Sequence, residues 1–333
     1  MAVGLEKVGG ALKLDLWHSV VSMDSTVAQT FGTNWTAAGA LQRIARNSLA
    51  QAHTAISDPD KPENEAVHDF RRAMKRWRAL LRLIGPIVGA EARVLRDEGR
   101  DLARALAGAR DPQSALDALA DVEKHGCALS ARSMAHLRER VHAIRTQAET
   151  KLDAGLRRSF SAALDRASMA LELWLLDAIT SADIAHQLAR GYDGARSFIP
   201  ADWQAATADE LHELRKRVVI HRYQIEIAEE SWPRFVKMWA GEAQRLRERL
   251  GKHHDLVVLE TLTAPHQPLA RWRSRLVPAV KARQAAHVAA AARLAARLFH
   301  EKPKAFERRL VALSATESPE HADYDTAAVH QLH

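Results

Sequence analysis

The sequence predicts an all-α protein built from two similar halves. Three observations carry this reading. Ala, Leu and Arg dominate while aromatic residues make up 5% of the chain, and those three side chains lose little rotamer freedom in a helix. Apolar residues recur at three- and four-residue steps from Trp35 onward, the period of an amphipathic helix. Two landmarks also repeat at one offset. His68-Asp69-Phe70-Arg71-Arg72 aligns with His212-Glu213-Leu214-Arg215-Lys216, and Asp111 aligns with Asp255, each pair 144 residues apart. A shared offset of this kind marks an internal duplication.

Residues 1–33 are weakly patterned and receive no assignment. A first helix is expected from Trp35 to Ile56, then a loop from Ser57 to Pro62. A second runs from Asn64 to Ile84 and stops at Gly85-Pro86, because proline lacks the N–H that continues a helix. A third covers 88–107. A break from Gly108 to Pro112 follows, then a short helix before His125-Gly126 and a long one over 131–160. The second half repeats the order. A helix near 182–198 ends at Pro200, and Thr207 with Glu210 forms a capping box that opens a helix to Glu230. Others cover 234–250, up to a break at Gly251, and 275–301. The halves are bounded at 34–170 and 178–311, with a disordered polar tail over 312–333.

Composition bounds the function. The net charge is +7 and the pI 9.7, so the chain's field attracts phosphates, nucleic acid or anionic surfaces. Cys127 is the single cysteine, which excludes an internal disulfide and fits a reducing, cytoplasmic compartment. No apolar run reaches the length of a membrane span, and no signal peptide opens the chain. Asn34-Trp35-Thr36 matches a glycosylation sequon, a pattern common by chance.

The chemistry lies in a stripe. Phe70, Met74, Trp77, Leu81 and Ile84 form the apolar face of the second helix. His68, Arg71, Lys75, Arg78 and Arg82 run beside it, ~100° around and spanning ~21 Å. Arg72 and Arg76 lie further round, toward water. A solvated flank is the plain alternative, but Asp69 is the only acid among residues 68–82. Like charges at helical spacing repel by roughly 0.2–0.5 kcal/mol per pair, which an anionic ligand offsets. The second half copies the stripe with Leu211, Leu214, Val218, His221 and Ile225 beside His212, Arg215 and Arg222. Val219 stands where Lys75 stands in the first copy, and Glu226 where Arg82 stands. Lys216 and Arg217 add charge elsewhere on that helix. Arginine offers a fork of donors to phosphate oxygens, and histidine a donor that titrates near neutrality. Asp111 and Asp255 follow the two breaks, where helix capping is their expected work.

The pattern His-x-x-Arg-x-x-x-Lys-x-x-Arg from His68 to Arg78, continued by Arg82, resembles the first signature of CHAD domains, a histidine-containing α-helical family. Leu211 through Tyr223 resembles the second. Leu250-Gly251 through Asp255 resembles the family's Leu-Gly-x-x-x-Asp turn, and Phe299 through Phe306, with Lys302-Pro303-Lys304, its C-terminal end. The resemblance covers residues 34–311. It implies two four-helix bundles related by an internal pseudo-twofold axis, with inorganic polyphosphate bound in a basic cleft between them. The matching positions are His68, Arg71, Lys75, Arg78, Arg82, His212, Arg215, Lys216 and Arg222. It suggests a place beside polyphosphate granules. No phosphate-cradling glycine loop, hydrolase serine motif or clustered carboxylate pair is present in the sequence, so no catalysis is expected, and no cofactor or metal. Other polyanions and the oligomeric state stay open. Many members carry a fused triphosphate-hydrolysing domain, for which residues 1–33 are too short.

Two rival readings remain. One is a helical metal-dependent phosphohydrolase of the HD type with His253, His254 and Asp255 as ligands, which metal analysis would reveal. The other is nucleic-acid binding, which usually interleaves aromatic platforms with the cations. Only Trp77 and Tyr223 lie near these stripes.

Overall fold

The computed structural model describes residues 36–106, 110–148, 152–229 and 232–315. The unassigned segment 1–33, Asn34 and Trp35 of the sequon, Gly108 and Ala109 of the expected break, and the tail from 316 lie outside them. The described residues are helical, without strands. Eleven α-helices are described: α1 Ala37–Ser57, α2 Glu63–Val88, α3 Ala90–Ala105, α4 Arg110–Lys124, α5 Ala131–Ala148, α6 Ala154–Leu173, α7 Ser181–Arg196, α8 Ala208–Ile225, α9 Pro233–Leu262, α10 Arg273–Leu298 and α11 Pro303–Ala315.

Local chemistry explains most boundaries. Thr207 accepts from the Glu210 N–H at 3.2 Å, and Glu210 accepts from the Thr207 N–H at 2.7 Å, so the predicted capping box opens α8. Asp111 lies in the first turn of α4, where a carboxylate favours the helix dipole.

Several expectations are corrected. The second helix continues through Pro86 to Val88 and ends at Gly89, whose φ of 101° suits glycine. Proline this close to the end removes only one hydrogen bond. The span 131–160 holds parts of two helices, because Asp153 caps a new one by accepting from the Leu156 N–H at 2.8 Å. The helix opened by Thr207 ends at Ile225 and a 3-10 turn, Glu226–Ala228, follows. Gly251 breaks nothing: α9 is one 30-residue helix. Leu246, Leu250, Leu256 and Leu259 carry its buried stripe past the glycine, and that burial outweighs the roughly 1 kcal/mol a mid-helix glycine costs. Asp255 therefore lies inside α9 and is not at an end of that helix. Residues 303–315, partly assigned to a tail, form α11.

Three packing groups result. In the first, α2 lies against α1 and α3, and α6 against α1 and α3, with Phe70 stacked on Phe160 at 4.9 Å and Trp77 on Trp174 at 6.2 Å. In the second, α8 lies against α7 and α9, and α11 against α7. Tyr192 stacks on Phe306 at 4.4 Å and Trp239 lies 5.2 Å from Phe306. The third joins α4 and α5 to α9 and α10 through Leu119, Val122, Leu137, Val141, Leu256, Leu259 and Leu276. It crosses the boundary at 170–178 expected between the halves. Helices α2 and α8 also touch: Gln224 donates to the Ala79 carbonyl at 3.4 Å. The landmark helices thus meet in one seam.

A candidate polyanion surface

Phe70, Met74, Trp77, Leu81 and Ile84 are all buried, which fixes the rotation of α2 and leaves its basic stripe at the edge of the core. His68 is 72% exposed, with Nδ1 3.2 Å from Asp69 Oδ1, and Asp69 also accepts from Lys61 at 2.5 Å. Arg71 donates to the Leu106 carbonyl at 3.3 Å, satisfying an acceptor left over at the end of α3. Lys75 is exposed. Arg78 and Arg82 are half-buried, and their Nε–H groups are buried with no acceptor among the described residues.

These two arginines sit in the densest positive charge described. Burial, then Arg82, Arg100, Arg104 and Arg96, hold Arg78 below the ordinary guanidinium range. Burial, Arg96 and Arg217 do the same to Arg82, with Asp97 opposing. The nearby carboxylates are engaged: Arg100 bonds Asp97 at 3.1 Å and Asp101 at 3.0 Å. The field spans α2, α3 and α8. Sequence reasoning missed Arg96, Arg100 and Arg104, although their four-residue spacing was available to read. Arg217 carried no local signal, because only the meeting of α2 and α8 brings it to Arg82.

The second copy is built differently. The His212 ring lies 4.4 Å from His254, and the Arg215 guanidinium crosses α9 beside Gly251. Lys216 is exposed and bonds Glu213 at 2.5 Å. Arg222 donates to Glu226 at 2.5 Å and lies 4.2 Å over the Tyr223 ring. Arg76 is half-buried, approaches the same ring at 6.0 Å and donates to the exposed Gln51 at 3.2 Å; Arg72 is exposed. Burial pushes the Glu226 carboxyl up, against the pull of Arg222 and Arg76. Val219 is half-buried. Positions 144 residues after Arg96, Arg100 and Arg104 hold Ala240, Gln244 and Glu248, so the matching positions of α9 carry no cation.

Two recesses lie away from these arginines: about 530 Å³ lined by Arg132, His136, Arg271 and Trp272, and about 280 Å³ between α1 and α6 at Arg46, His53 and Glu172. Among the described residues, no three His, Cys, Asp or Glu side chains are grouped to hold a metal. Burial pushes buried His253 down to about 4, and the His254 ring lies 4.4 Å from that of His212. No described helix is long and apolar enough to cross a membrane.

A search of curated proteins finds no match. The crystal structure of the CHAD domain from the plant Ricinus communis is similar over 86% of this chain and 96% of that chain, at 21% identity and a TM-score of 0.46. The family model of the CHAD domain matches residues 39–264, and the chain belongs to the CHAD domain family.

Proposed function

We propose that the protein binds inorganic polyphosphate, without catalysis, on the basic face shared by α2, α3 and α8. One observation carries the reading: Arg78 and Arg82 are half-buried among further arginines, with Nε–H donors that the described residues leave unused. Folding that crowds like charges costs stability, and a chain of phosphates removes the cost while filling the donors. Nucleic acid fits less well. Trp77 is buried in the core and Tyr223 lies between Arg222 and Arg76, so neither offers a base-stacking platform.

The test is a set of binding isotherms for long-chain polyphosphate at several salt concentrations. Affinity should fall steeply with salt, as counterion release requires. Arg78→Glu and Arg82→Glu should remove most binding, whereas Arg72→Glu, on another face of α2, should remove little. Equal losses in all three would reduce the attraction to net charge. Single-stranded oligonucleotide should compete poorly, and no orthophosphate should be released.

A further inference from the structure

We propose that Glu226 closes the second half of the basic face, so that a polyanion is gripped on one side, by α2, α3 and Arg217, and ends its track before Arg222. This rests on the polyanion reading above. Glu226 stands where the first copy has Arg82, and its carboxylate holds Arg222 at 2.5 Å with both side chains about one-fifth exposed. Arg222 is the counterpart of Arg78 and, like it, has a buried Nε–H with no acceptor among the described residues, yet its Nη1 is held by this carboxylate and its guanidinium lies over the Tyr223 ring. A phosphate reaching Arg222 must first displace an internal carboxylate, and Glu226 would repel it. The groups facing that carboxylate are Arg222, Tyr223 and Glu229 from its own segment and Arg72 and Arg76 from α2.

A second observation points the same way independently. Ala240, Gln244 and Glu248 replace the three α3 arginines on α9, and Gln244 donates to Glu248 at 2.7 Å. The three cations that extend the face past Arg82 thus have no counterpart at the matching positions past Arg222, although Arg245, Arg247 and Arg249 stand elsewhere on α9. Charge-assisted hydrogen bonds are the strong ones, so a polyanion follows the arm that still offers them.

The experiment measures anisotropy of labelled long-chain polyphosphate against wild type, Arg222→Gln, Glu226→Gln and the double variant, over a salt series. Circular dichroism melts report folding for each. Arg222→Gln should bind within about twofold of wild type. Glu226→Gln should bind roughly tenfold tighter, the worth of one charge-assisted bond, with a salt slope steeper by about one contact. The double variant should lose that gain, which assigns it to Arg222. A tenfold loss in Arg222→Gln, or an unchanged Glu226→Gln that melts like wild type, would overturn the closure while leaving polyphosphate binding standing. Wild type that does not bind at all sinks the function reading itself, and the closure with it.

Discussion

Arg283 on α10 donates to both carboxylate oxygens of Asp121 on α4, at 2.8 Å from Nε and 3.3 Å from Nη2. His287 Nε2 lies 2.9 Å from the same carboxylate. Burial would push Asp121 up, but the bonds from Arg283 and His287 outweigh it and bring the group down to about 2. Removing one partner of a buried ion pair leaves the other uncompensated. Asp121→Asn should therefore cost about 3–5 kcal/mol, measured by urea denaturation. The double change Asp121→Leu with Arg283→Met should recover most of that loss, because the unpaired charge goes with it.

Buried histidines set the acid limit. Trp239 Nε1 donates to His221 Nε2 at 2.9 Å, and burial pushes that ring down to about 3. The unfolded ring takes a proton near its ordinary 6.5, while the folded one refuses it. Stability is thus full above about 6.5 and is lost as the pH falls toward 3, at about 1.4 kcal/mol per unit. Melting temperature should drop steadily from pH 7 to pH 4. In His221→Phe the drop should be shallower, although the pH 7 value falls with the lost Trp239 bond. Parallel curves for the two proteins would refute the assignment.

Two helical glycines should respond oppositely to alanine. At Gly191 a Cβ would meet Gln224 Oε1 at 2.2 Å, displacing the side chain that bonds Ala79 across the seam. Gly191→Ala should destabilise by about 1–3 kcal/mol. At Gly251 the nearest atoms, on Arg215, are at 3.5 Å, an ordinary contact. Gly251→Ala should stabilise by roughly 1 kcal/mol. Chemical denaturation of both variants checks the pair.

Val219→Lys tests the worn copy of the stripe. The position is half-buried, so the long stem can lie along the surface with its ammonium in water. Polyphosphate affinity should rise and the salt slope steepen by about one contact. No change in either would make Val219 a packing residue.

The helical class, the capping box and the buried stripe of α2 were legible because each rests on neighbours within one or two turns. The two landmarks share one spacing in the sequence, and the structure brings their helices α2 and α8 together. Gly251 misled, since propensity alone cannot see the leucines that hold α9 straight. The approach of Arg76 to Tyr223 had no local signal, because only the meeting of α2 and α8 brings that ring near it. The arginines at 96, 100 and 104 were readable as a row but gained meaning only when α3 packed beside α2. The pairing of Arg222 with Glu226 was readable at four-residue spacing, and was taken simply as a departure from the repeat.

The unbroken α9 has a consequence for how the molecule is divided. Thirty residues at ~1.5 Å each make a rod of ~45 Å, long enough to serve the second packing group with one end and the third with the other. A fragment cut between the repeats would leave Leu256, Leu259 and Leu276 without the α4 and α5 faces that cover them, and would strip Leu119 and Val122 in the other piece. Bare apolar strips of that kind make chains aggregate. Neither half is a spare part: each supplies the wall that the other lacks.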